Sequence, residues 1–292
     1  MKARTRGLIT KIACTGSAVF MTANLSHALP QETATTTKQE ATAETLPTPQ
    51  ELVDRWIRAS GGKANWEKIS SMDQRGTFSM PAMGIKGSVE IMMQAPNLMR
   101  SNIEIPGIGM INEGFNGTTA WSINPMTGPT IKQGMELVQA KRQASFKAQM
   151  DPLQDYSSSK TIGKANFSGT ECWLVEATGK DGVSKLYFDI ESGMSRGMSM
   201  VADTPQGQLE MTVITDEPKQ FGELKLNSKM TISAMGQSQV LIIESVSFAE
   251  IDPSNFELPP AIETMVKAKE AAEKDTPEEA AETGTLEEAS KE

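Results

Sequence analysis

Histidine chemistry has one residue to draw on. His27 is the only histidine in 292 residues. It stands with Cys14 inside an N-terminal stretch, residues 1–28, that reads as a removable export signal. Without that stretch the chain keeps no histidine and one cysteine, Cys172. A Ser-His-Asp triad, a Cys-His dyad, a His-ligated metal and a disulfide within one chain are then excluded. No cofactor or metal is expected, and the reading is non-enzymatic.

The remaining chemical motifs are weak. Gly193-Met194-Ser195-Arg196-Gly197 has the spacing of a nucleophile elbow. It falls between two predicted strands rather than at a strand-to-helix turn, and nothing is left to activate Ser195. Carboxylate pairs such as Asp181/Asp189 and Asp216/Glu217 look like turn and surface acids. Gly107-Ile108-Gly109 with Gly114 lacks the following helix of a dinucleotide loop. Asn116-Gly117-Thr118 and Asn166-Phe167-Ser168 have the form of glycosylation sequons, but the first reads better as a hairpin turn. Arg100 and Lys132 are weighed as contacts for an anionic headgroup and read as solvated strand-end charges. A net charge of −9 and a pI near 4.9 argue against a nucleic-acid partner.

The elements that must position a site follow from periodicity. Lys2, Arg4, Arg6 and Lys11 form a basic n-region before the apolar run Ile12–Leu25, and Ser26-His27-Ala28 is a small-x-small cleavage site. The chain is therefore expected outside the inner membrane, periplasmic or secreted. Residues 29–47 are rich in Thr, Ala, Glu and Pro and read as a disordered linker; residues 263–292 read as an acidic tail. Between them lies one domain, residues 48–262. Thr48-Pro49 opens a helix with Leu52, Val53, Trp56 and Ile57 on one face. A second short helix enters at Lys63-Ala64, and Gly134–Met150 fits an amphipathic third. Strands are predicted at Thr77–Met80, around Val89–Met93, at Ile103–Ile105, Met110–Phe115, Ala120–Ile123, Cys172–Ala177, Lys185–Ile190, Gly197–Ala202, Gln208–Thr215, Leu224–Asn227, Lys229–Ala234 and Val240–Ile251. Closely spaced turns make this an antiparallel meander. The fold class is mainly β with helices (α+β): a curled antiparallel sheet forming a half-open barrel over lid or plug helices.

An ordered set of segments resembles the periplasmic outer-membrane lipoprotein carrier superfamily (LolA/LolB-like). It comprises Gly87–Gln94, Pro96-Asn97-Leu98-Met99-Arg100, Phe115-Asn116-Gly117-Thr118-Thr119-Ala120-Trp121 ending at Asn124-Pro125, and Ile251-Asp252-Pro253-Ser254-Asn255-Phe256 followed by Leu258-Pro259-Pro260. The resemblance implies a curled half-barrel whose cavity takes the acyl chains of a lipid or an acylated lipoprotein. In the carriers an arginine directly before the Pro-Asn pair latches the lid; here that position is Ala95.

Nineteen methionines against nine Phe, four Trp and two Tyr fit this expectation, because flexible thioethers can line a cavity for chains of varied shape. The expected lining is Met80, Met83, Met92, Met93, Leu98, Ile103, Ile105, Met110, Trp121, Met198 and Met200. The favoured function is an exported carrier or chaperone for lipoprotein sorting. The alternative is an interaction or sensory domain on the same scaffold, binding a membrane-associated partner protein through exposed apolar loops.

Overall fold

The computed structural model describes residues 45–179, 182–204 and 207–274. The expected signal, nearly all of the linker and the chain beyond 274 lie outside the described residues. No described helix is long and apolar enough to cross a membrane.

Helix α1 (Pro49–Ala59) starts where Thr48 caps it. The Glu51 amide donates to Thr48 Oγ1 at 3.2 Å, and the Thr48 amide donates to the Glu51 carboxylate at 2.7 Å, a reciprocal capping box. Helix α2 (Lys63–Trp66) carries Trp66, whose indole N–H donates to Ser60 Oγ at 2.9 Å.

Thirteen strands follow: β1 (Ser71–Met80), β2 (Ile85–Gln94), β3 (Leu98–Ile105), β4 (Gly109–Asn116), β5 (Ala120–Asn124), β6 (Gly128–Ile131), β7 (Ser158–Phe167), β8 (Thr170–Gly179), β9 (Gly182–Asp189), β10 (Ser195–Thr204), β11 (Gly207–Phe221), β12 (Leu224–Ala234) and β13 (Gln237–Ser247). They form one antiparallel sheet in the order β6-β5-β4-β3-β2-β1-β13-β12-β11-β10-β9-β8-β7. It is an open, curled half-barrel with helices rather than a closed barrel.

Two close approaches help it curl. A Cβ on Gly76 would lie 1.8 Å from the Ile242 carbonyl oxygen, and one on Gly87 would lie 2.1 Å from that of Glu104. Only glycine lets the strands come so near.

Periodicity missed β6 and β7, the two edge strands. β6 has four residues, and β7 (Ser-Ser-Lys-Thr-Ile-Gly-Lys-Ala-Asn-Phe) is polar and largely exposed. The two strands expected at 224–227 and 229–234 are one, β12, and the third helix, α3, ends earlier (Gly134–Ala144) before a 3-10 turn at Lys147–Gln149. Helix α4 (Pro260–Lys274) runs across the expected 262/263 boundary, with Ile262 fully buried.

The edges β6 and β7 are joined by residues 132–157, which include α3 and cross one face of the sheet. That face, which also carries α1, is called here the inner face. Directly paired residues of an antiparallel sheet share a face. Met72, Met93, Met99, Phe115 and Ala120 pair in one row across β1 to β5 and are all buried with Trp66, Leu224 and, from the crossover, Ala140, Ala144 and Phe146. At the far side α1 sets Leu52 and Val53 on Trp173, Val175, Ala177, Leu186 and Phe188 of β8 and β9.

Candidate functional site

Parity sorts the eleven expected lining residues. Met80, Met93, Ile103, Ile105, Met198 and Met200 point to the inner face. Met92, Leu98, Met110 and Trp121 point to the outer face, and Met83 is exposed in the turn between β1 and β2. The expected single lining is thus corrected: five of these residues lie away from the inner face.

Three of the displaced residues have other partners, while Met83 and Met110 are exposed. Met92 and Leu98 pack with Ile251 and Phe256. Trp121 lies flat across Gly114, where a Cβ would sit 2.3 Å from its ring. Its indole N–H donates to Asn112 Oδ1 at 2.8 Å; Asn112 donates to Asn102 Oδ1 at 2.5 Å, and Asn102 to Glu90 Oε2 at 3.0 Å. Arg75 closes the chain with an ion pair to Glu90 at 2.7 Å. This relay crosses the outer face from β5 to β1, beside the apolar cluster of Met92, Leu98, Ile251 and Phe256.

The inner face behind it is apolar. Met93 is sealed in the core beneath the crossover. Nearer the β1–β2 turn, Phe78, Val89 and Ile105 form a second cluster, packed by Met80, Ile85, Ile91, Ile103, Ile111 and Leu241. This cluster is built of strand residues alone; no helix joins it. Pairing extends it from Phe78 to Leu241 to Met230, which is 38% exposed. Two residues along β12, Ile232 continues to Val213, Met198 and Leu186, with Met211 beside Met200 on the next row. Most of these side chains are half-buried. The result is an apolar strip running across the inner face from β4 to β10 beyond the helices. Phe78, Ile85, Val89, Ile111, Leu241, Val213 and Ile232 were not singled out from the sequence; the parity of Met80 points to Phe78 alone, and the others need the cross-strand register.

The expected gap under the helices is filled by Trp66, Met72, Met99, Phe115, Phe146 and Leu224. Cavities of about 390 to 450 Å³ lie elsewhere. One, of about 440 Å³ between α3 and β4–β6, is polar: Lys132 is held there at 3.0 Å by Glu113, with Ser122, Thr130 and Gln139 nearby. Lys132 is therefore paired rather than a solvated strand-end charge. Arg100 donates to the Asn255 carbonyl at 2.9 Å, tying β3 to the segment after β13.

The nucleophile-like motif is a strand entry. Ser195 begins β10, and its carbonyl accepts from Thr215 Oγ1 at 3.0 Å and Asn227 Nδ2 at 2.8 Å. Cys172 is buried, and burial, with the nearby Asp189 charge second, pushes its thiol up to about 11. A thiol so protonated is a small hydrophobe, not a nucleophile. Among the described residues no cluster of His, Cys, Asp and Glu could hold a metal.

No protein-family model matches the sequence, and no curated protein does. Solved structures do match the fold. A LolA superfamily protein from Nitrosomonas europaea is 12% identical, with a TM-score of 0.50 over 73% of this chain and 99% of that one. A DUF1329 family protein from Desulfovibrio piger is 9% identical, with a TM-score of 0.50 over 71% of this chain and 96% of that one. The resemblance read from the sequence thus reappears at the level of the fold.

Proposed function

We propose that this chain is an exported, non-enzymatic binder that takes acyl chains of a lipid or an acylated lipoprotein against the uncovered strip of its inner face. The observation that carries the reading is the strip itself: a band of half-buried Met, Ile, Leu and Val around buried Phe78, Val89 and Ile105, with a polar relay behind it on β1 to β5. A LolA superfamily protein has the same fold, which supports the reading at the level of architecture. Apolar burial yields about 0.8 kcal/mol per methylene, so a chain of ~14 carbons could gain roughly 10 kcal/mol before ordering and association costs. The strip's half-buried methionines, Met80, Met198, Met200 and Met211, can adapt to chains of different shape. With Ala95 at the latch position, release would not depend on an arginine there.

The test is displacement of a bound fluorescent fatty acid, with organic-solvent extraction of co-purified lipid. Ile103→Asp and Met198→Asp should abolish uptake, whereas Thr77→Asp on the outer face should leave it intact. Unchanged uptake by both inner-face variants would refute the assignment. An empty protein that instead retains a membrane-associated protein would favour the interaction-domain reading.

A further inference from the structure

The turns at the two ends of the sheet differ in chemistry. At one end four neighbouring hairpins, β5–β6, β3–β4, β1–β2 and β12–β13, present Pro125-Met126-Thr127, Pro106-Gly107-Ile108, Pro81-Ala82-Met83-Gly84 and Met235-Gly236. None of these residues is charged, in a chain that is 22% charged. Met126 is 83% exposed, Met235 82%, Met83 60% and Ile108 39%, and Met110 beside them is 51% exposed. The described turns at the other end expose no large hydrophobic side chain, and two of them carry acids, Glu191 and Glu223. Folding does not ask for this pattern. Met235 sits at φ 53 ahead of Gly236 at φ 73, a backbone position that favours Asn, Asp or Gly.

We infer that this rim of hairpin tips is a docking site for a lipid bilayer. Adjacent hairpins in a sheet are spaced by about 10 Å, twice the strand separation. The four tips therefore form a row of separate apolar side chains rather than one contiguous patch. Protein interfaces concentrate binding in a packed central cluster; a fluid bilayer fills the space between isolated insertions. Charge points the same way. A protein of net charge −9 is repelled by anionic surfaces, so uncharged tips that hold by apolar insertion suit a membrane contact. The inner-face strip begins at this rim, at Met80, Ile85 and Ile105.

The site is tested with vesicles of phosphatidylcholine and phosphatidylethanolamine. The full chain should bind them, and raising NaCl from about 0.1 to 1 M should not weaken binding, since screening acts on charges. Replacing Met83, Ile108, Met126 and Met235 together by Ser should lower partitioning at least about tenfold, with an unchanged circular dichroism spectrum. A Met126→Trp variant should be quenched by brominated lipid, whereas Thr118→Trp at the opposite end should not; this readout does not depend on the fourfold variant folding. Undiminished binding by the fourfold variant, an unquenched Trp at 126, or capture of a protein by this rim without vesicle binding would overturn the inference. The rim does not rest on the acyl-chain reading: a chain that docks to vesicles but takes no fatty acid keeps the one and loses the other.

Discussion

The two halves of the inner face are made of the same strands and similar side chains but meet different fates. Under the crossover, Met72, Met93, Met99, Phe115 and Ala120 are sealed by Trp66 and α3. A few residues further along the same strands, Met80, Ile85, Ile103 and Ile111 pack around buried Phe78, Val89 and Ile105, strand residues all, with no helix over them. Composition does not separate the halves; the path of residues 132–157 does. The sealed half supplies stability and the open half keeps apolar surface available. The same sheet can therefore be firm and still carry an unsatisfied face.

The sharpest way to break this comparison is to truncate one residue in each half. Phe115→Ala should cost about 3–5 kcal/mol, as expected for a buried aromatic, read as a shift in the urea midpoint. Met198→Ala should cost less than about 1 kcal/mol yet weaken fatty-acid binding several-fold. Equal stability losses would mean that the strip is core after all. Next in size is the relay on the outer face. Asn112→Ala leaves the buried Trp121 N–H without its acceptor and should cost about 1–3 kcal/mol, in the same unfolding assay, with little change in binding.

A reactivity test follows. Cys172, buried and with its thiol pushed up to about 11, should resist a disulfide reagent at pH 8 in the native state and react on unfolding. Native labelling would place β8 among the loosely held parts.

The smallest effect is electrostatic. Arg196 donates to Asp216 at 2.7 Å and holds its carboxyl below the ordinary 3.8. A depressed folded value contributes stability above the unfolded value, and the contribution is lost as pH falls through the folded one. Acid titration of stability should therefore show a small loss below pH 3.8 that Asp216→Asn removes. The carboxylate is half exposed, so salt should reduce the effect.

Much of the architecture is legible in the sequence. Thr48-Pro49 marked the start of α1, Asn116-Gly117 marked a hairpin turn, and alternation marked most strands. The edge strands were not legible, because β7 is polar enough to read as loop. The site was legible only in part. Met92 and Met93 were both nominated, though successive residues in a strand must face opposite ways; Met93 proved to be core and Met92 to belong to the outer cluster with Phe256. Trp121 is expected in the lining, and its indole is instead spent on Asn112 on the outer face.

By itself the sequence determined that this is a β-rich chain with almost no histidine, many methionines and an alternation that gives each strand one apolar face. A period of two fixes which residues travel together but not what they meet. That depends on where residues 132–157 cross between edges β6 and β7 and on how far Gly76 and Gly87 let neighbouring strands approach. Those contacts join residues distant in the chain, so only the tertiary structure decided which methionines became core, which remain on the open strip and which stand at the rim.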